Sequence, residues 1–300
     1  MNLFNKAVVG ILPVFPKSFI WIFSKKYIAG KSLADGVEKI KELNTIGCCA
    51  TMDVLGEDIE DLKQAEKSRD ESIRVLDVIK ENGLDSNLSV KLTSLGLKID
   101  KERCFENVRE IVKKAKEVGN FVRIDMEDST CTDDTLEIYR RLREEFSNVG
   151  AVIQAYLHRS RGDVEKLIDE GIANLRVCKG IYNESKEIAF KDREQIRRSY
   201  MDIIEMMLDS GSYVGIATHD TVLVERSFRA IEKRGIKKSG FEFQMLLGVT
   251  EKLRSRIVND GNRLRVYVPY GEQWYGYCMR RLKENPRVAG HIIKNIFIKG

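Results

Sequence analysis

Residues 88–125 read LSVKLTSLGLKIDKERCFENVREIVKKAKEVGNFVRID. A short β-rich run, Leu88 to Leu92, leads through a turn into the charged stretch Glu102 to Val118, where Phe105, Val108, Ile111, Val112 and Ala115 recur at three- and four-residue spacing. That spacing places them on one face of a helix. Gly119 can adopt the left-handed backbone that closes a helix, and Phe121 to Asp125 opens the next β-rich run. The unit is strand, helix, strand, and two strands joined through a helix run parallel.

The same phrase recurs from about residue 44 onward. The strands it predicts are Gly47 to Met52, Leu88 to Leu92, Phe121 to Asp125, Ala151 to Tyr156, Asn174 to Cys178, Tyr213 to Ala217, Glu242 to Leu246 and Leu264 to Val268. Glycines 83, 119, 171, 211 and 235 mark helix ends between them. Eight units predict an α/β fold, a closed (β/α)8 TIM-type barrel with a short N-terminal helical extension. An open doubly wound sheet is disfavoured, because no GxGxxG follows the first strand. The expected organisation is an extension over 1–43, a catalytic barrel over 44–286 and a tail over 287–300.

The chain has 300 residues, within the range of a single barrel, and its 43% apolar and 32% charged content suits a globular enzyme. The net charge of +5 comes from interspersed charges with no basic block, which argues against a nucleic-acid partner. Cysteines 48, 49, 104, 131, 178 and 278 show no CxxC spacing and are expected to be free thiols in a reducing cytoplasm. The three histidines show no HxH or HExxH spacing, so no histidine-rich metal site is expected. The apolar run Ala7 to Phe15 resembles a secretory signal, but Pro13 and Pro16 interrupt it and no A-x-A site follows. Residues 1 to 30 are read as short helices that pack on the barrel or touch a membrane surface, with packing favoured.

In such a barrel the chemistry sits at the C-terminal ends of the strands. Those ends offer Asp53, Lys91, Asp125 with Glu127, Gln154, Arg176 with Lys179, Thr218 with His219 and Asp220, Gln244 and Tyr267. Singly, each is more often a solvated loop residue than a catalytic one; together they are harder to dismiss. Lys91 interrupts an apolar strand, and a buried ammonium needs an anion, for which Asp125 or a substrate carboxylate would serve. In the last helix, GEQWYGYCMRRLKEN, Tyr277 precedes Arg280 and Arg281 by three and four residues, and Arg280 and Glu284 are four apart. Two such arginines can converge on one carboxylate, although solvated arginine pairs are also common on helices. Lys179 beside Gly180 is a weak phosphate signal.

The segments ATMDVLGE, SVKLTSLG, RIDMEDS, QAYL, LRVCKGIY, ATHD, FEFQMLLG and RVYVPYGEQWYGYCMRRLKENP, in this order over roughly residues 28 to 287, resemble the proline dehydrogenase family, in particular its monofunctional bacterial members. The last segment is the most specific. The resemblance implies a (β/α)8 barrel holding non-covalent FAD at the strand ends and oxidising L-proline. It further implies a membrane quinone as electron acceptor, so a cytoplasmic enzyme in peripheral contact with the inner face of the cell membrane. By the same resemblance Lys91, Arg280 and Arg281 bind the substrate carboxylate, and Tyr182, Leu246, Tyr267 and Tyr277 form apolar and aromatic walls, with Asp125 beside the active-site charges. Gln154, Arg176, Lys179, Gly180, Thr218 and His219 fall at FAD-contact positions, and Glu284 at a site facing an arginine or the cofactor rim. Ile181, Cys178 and Asp220 depart from the family's usual alanine, valine and asparagine. Two other classes remain open on the residues alone. One is a barrel lyase using Lys91 or Lys179 as a Schiff-base nucleophile; the other is an inactive barrel that serves as a binding protein.

Overall fold

A computed structural model describes residues 16–56 and 59–284. Eight parallel strands close into a barrel in sequence order: β1 (Cys49–Val54), β2 (Ser86–Val90), β3 (Val122–Ile124), β4 (Val149–Gln154), β5 (Asn174–Cys178), β6 (Tyr213–Ala217), β7 (Phe241–Leu246) and β8 (Leu264–Tyr270). All eight expected strands are present, most with ends shifted by one or two residues. The ring is shut by β8 against β1, where Thr51 is level with Tyr267.

Ten helices are described: α1 (Lys17–Ser24), α2 (Leu33–Thr45), α3 (Leu62–Glu81), α4 (Lys101–Glu117), α5 (Thr132–Glu145), α6 (Ser160–Asp169), α7 (Arg193–Asp209), α8 (Thr221–Arg234), α9 (Glu251–Asn259) and α10 (Trp274–Glu284). The helix of the opening stretch, α4, starts where the Asp100 side chain accepts from the Arg103 N–H, and it buries Cys104, Phe105, Val108, Ile111, Val112 and Ala115. The five glycines expected at helix ends all have positive φ, between 59° and 71°.

Parallel strands covered by helices usually read as continuous apolar runs. These alternate instead. Val90, Ile124, Ile153, Val177, Ile216, Phe243 and Val266 point outward into the main hydrophobic core, a layer between sheet and helices. The alternate positions point inward and carry Arg123, Arg176, Glu242, Gln244 and Arg265, all buried. Gly215, level with Arg176, makes room for this filling, since a Cβ there would lie 2.5 Å from Gln244 Nε2.

Two helices deviate from a simple barrel ring. α2 precedes the first strand yet packs on both β8 and β1, giving Leu33, Val37, Ile40 and Leu43 to the main core. It covers the seam where the barrel closes. α10, the last helix described, packs instead against α1, with Trp21 edge-on to Trp274 at 4.8 Å, in a separate cluster with Ile20, Tyr27, Ile28, Tyr277 and Cys278. The expected packing of the N-terminal extension therefore holds for residues 16–30; residues 1–15 and the tail over 287–300 lie outside the described residues. The six cysteines are free thiols, five of them buried. No helix among the described residues is long and apolar enough to cross a membrane.

Candidate active site

The strand ends and α10 enclose a cavity of about 860 Å³. Fourteen of the fifteen site residues implied by the resemblance line it: Lys91, Asp125, Gln154, Arg176, Lys179, Gly180, Tyr182, Thr218, His219, Leu246, Tyr267, Tyr277, Arg280 and Arg281; so do Glu127, Asp220 and Gln244 from the strand ends. Glu284 stands in the last turn of α10, and its side chain lies outside the described residues.

The charges around Lys91 and Asp125 form two linked ion pairs. Lys91 Nζ lies 2.7 Å from Asp53 Oδ1, with both side chains largely withdrawn from solvent. Asp53 is thus an anion that Lys91 meets, a partner that the sequence alone does not single out beside Asp125 and a substrate carboxylate. Burial pushes the Asp53 carboxyl up, against the opposing pull of Lys91, to about 6. Asp125 pairs with Arg176 at 2.6 Å and accepts hydrogen bonds from Ser89 Oγ at 2.9 Å and from the Tyr267 hydroxyl at 2.6 Å. Burial, with Asp125 and Asp53 beside it, pushes the Tyr267 phenol well above its usual range, so it stays a donor.

Arg176 is anchored from below. Its Nε donates to Gln244 Oε1, whose amide donates to Glu242 Oε1 at 2.6 Å. Glu242 receives Arg265 through two hydrogen bonds of 2.7 and 3.1 Å. A polar ladder therefore climbs the barrel interior from Arg265 to Tyr267. Sequence reading missed Ser89, Glu242 and Arg265. The alternation in Glu242-Phe243-Gln244 and Arg265-Val266-Tyr267 is the signal that places the latter two inside.

On α10, Tyr277 and Arg281 face the cavity one turn apart, with the Arg281 guanidinium 5.4 Å from the Tyr277 ring centre. Arg281 is buried, while Arg280 is exposed at the rim. The Leu246 N–H donates to His219 Nε2 at 2.9 Å, which puts the ring proton on Nδ1. Burial, together with Arg281 and Lys179, lowers His219 to about 4, so the ring is neutral near pH 7.

Next to His219 in the chain, Asp220 caps α8 by accepting from the Val222 N–H and takes Arg197 in a bidentate pair, both bonds 2.9 Å. Lys179 at 3.5 Å and Arg193 at 3.7 Å also face Asp220, leaving this end of the cavity cationic. Gly180 has φ of 107°, and a Cβ there would collide with the Tyr156 ring at 2.1 Å.

Residues 36–293 match the family model described as proline dehydrogenase. The chain belongs to the proline dehydrogenase family. It is 39% identical to proline dehydrogenase 1 of Bacillus subtilis (strain 168) over 276 residues, 92% of this chain and 91% of that one. Identity to the proline dehydrogenase of Deinococcus radiodurans is 34%, over 100% of this chain and 99% of the other. A crystal structure of proline utilization A from Bdellovibrio bacteriovorus, inactivated by N-propargylglycine, superposes with a TM-score of 0.83 at 25% identity. That match covers 88% of this chain, which spans about a third (33%) of the longer one.

Proposed function

We propose that the protein oxidises L-proline to Δ1-pyrroline-5-carboxylate with non-covalent FAD and passes the electrons to a membrane quinone through peripheral contact with the membrane. One observation carries the reading within this family: Lys91, Arg280 and Arg281 converge with Tyr182, Leu246, Tyr267 and Tyr277 on a single cavity. Proline presents a carboxylate to the three cations and an apolar ring to the walls.

The cavity's composition fits FAD. Its volume lies toward the upper end for small-molecule sites. Gln154 Oε1 is buried without a hydrogen-bond partner, an acceptor available to a ligand donor. Lys179 and Arg193 supply cations for phosphates, and Gly180 lines the cavity beside them. Arg176, Gln154, Lys179, Gly180, Thr218 and His219 are the residues that would hold the cofactor. FAD, when bound, supplies the acceptor for the hydride leaving proline C5 as the ring nitrogen becomes an imine.

The chain's own work is orientation and exclusion of water. Lys91, held by Asp53, presents a fixed ammonium to the substrate carboxylate, while Arg281 reaches it from α10. Arg176 and Tyr267 occupy both oxygens of Asp125, so the substrate meets a largely compensated carboxylate there. An ammonium committed to Asp53 is poorly suited to be the free amine that a Schiff-base lyase would need.

The deciding experiment is an anaerobic visible spectrum of the purified protein before and after L-proline. Bleaching of a flavin band by L-proline, and far less by D-proline, is expected. A flavin band that L-proline leaves intact would keep the cofactor and remove the substrate. A colourless protein that stays inert after added FAD would turn the assignment toward the lyase.

A further inference from the structure

The loop from Lys179 to Asp192 joins β5 to α7 and carries Tyr182 into the cavity wall. Its second half is stitched to the loop after β4. The Phe190 N–H donates to the Tyr156 carbonyl at 2.8 Å, the His158 N–H donates to the Ile188 carbonyl at 3.0 Å, and the His158 ring stands edge-on to Phe190 at 4.4 Å. The first half, which holds Tyr182, is tied across to a different part of the rim. Glu184 Oε1 accepts from the Ser129 N–H and Oε2 from the Ser129 hydroxyl, each at 2.7 Å, between residues 55 apart in sequence. Ser129 begins the single-turn helix just beyond Glu127, which also lines the cavity.

Both partners of this contact are half-buried, and a carboxylate that uses both oxygens on one residue has little freedom to rotate away. Gly180, with its positive φ, forms the turn on one side of Tyr182, and Glu184 fastens the loop two residues beyond it. Glu184 does not itself line the cavity, so its effect on a ligand passes through the lining residues it holds in place, of which Tyr182 is the aromatic one in this loop.

We propose that Glu184 and Ser129 form a clasp that holds Tyr182 against the substrate ring, making Glu184 a positioning residue for proline binding. The inference rests on the cavity being the proline site. In the clasped state the aromatic wall is preformed, and proline meets it without having to order the loop. With the clasp broken, each binding event must order residues 181–184 as well, and that cost falls on substrate affinity.

Steady-state kinetics of the holoenzyme with proline test this, alongside hydrogen exchange of the 180–187 backbone. Glu184→Ala is expected to raise the proline KM about tenfold, in keeping with loss of a charge-assisted hydrogen bond, while kcat changes less than about twofold and flavin content is kept. Glu184→Gln is expected to stay within about threefold of the parent, because the amide can accept from the Ser129 N–H and donate to its hydroxyl. Ser129→Ala, which keeps the backbone bond, should fall between the two. Exchange over 180–187 should quicken in Glu184→Ala. A Glu184→Ala enzyme with the parent KM, or a Gln variant as impaired as the Ala variant, would overturn the clasp. If the parent protein does not turn over proline, the functional reading fails on its own. Exchange then still decides the clasp: faster in Glu184→Ala supports it, unchanged refutes it.

Discussion

Arg280 and Arg281 are neighbours in sequence, but the helix turns them into different surroundings. Arg281 packs over Tyr277 and is 8% exposed, whereas Arg280 stands at the rim in contact with solvent. A charge taken out of water is worth more to an anion than a solvated one. Arg281→Met is therefore expected to raise the proline KM by on the order of a hundredfold with flavin still bound, and Arg280→Met by considerably less. KM values together with the flavin-to-protein ratio check this. An unchanged KM in Arg281→Met would remove that residue from the carboxylate site. The arginine pair and its spacing to Tyr277 were legible in the sequence. The partner of Lys91 was not, because Lys91 follows β2, and the strands on either side of it, β1 and β3, each bring an aspartate, Asp53 and Asp125, to the same end of the barrel.

The strands themselves show how an apolar-looking sheet can carry a charged interior. Glu242 is buried beneath the site, and although burial alone would raise its carboxyl, Arg265 outweighs that and holds it at about 2. Such a depressed carboxylate contributes stability that is present above its unfolded value of about 4.5 and is lost as pH falls toward 2. Glu242→Gln leaves Arg265 buried without its charge partner, and the expected loss is about 3–5 kcal/mol near neutrality. Urea unfolding at pH 7 and at pH 3 checks both claims, because the gap between variant and parent should narrow at the lower pH. Equal stability at pH 7, or a gap that does not narrow, would count against this account. The eight strands were legible because their outward residues are apolar and their boundaries are marked by turns and helix caps. The ladder from Arg265 to Asp125 was not, since inward and outward positions are told apart only by their period, and Glu242 and Arg265 lie below the strand ends where chemistry is sought.

At the scale of the whole molecule, the packing of α2 bears on where the extension ends and the barrel begins. The sequence suggested a boundary after residue 43, yet α2, over Leu33–Thr45, buries Leu33, Val37, Ile40 and Leu43 against the seam between β8 and β1. Four such side chains are worth about 1.5–3 kcal/mol each. Their sum is comparable to the whole stability of an ordinary domain, about 5–15 kcal/mol. α1 and the stretch after it contribute Ile20, Tyr27 and Ile28 only to the smaller cluster beneath α10. A protein lacking residues 1–30 is therefore expected to fold with its barrel intact but with α10 poorly seated, so that Tyr277, Arg280 and Arg281 are held loosely and the proline KM rises. One lacking residues 1–45 is expected not to fold, because the barrel seam loses its cover. Circular dichroism melts and proline kinetics on the two truncations separate these outcomes. A cooperative native-like melt in the shorter protein would return α2 to the extension, and a parent-like KM after removal of residues 1–30 would show that α10 is seated without α1.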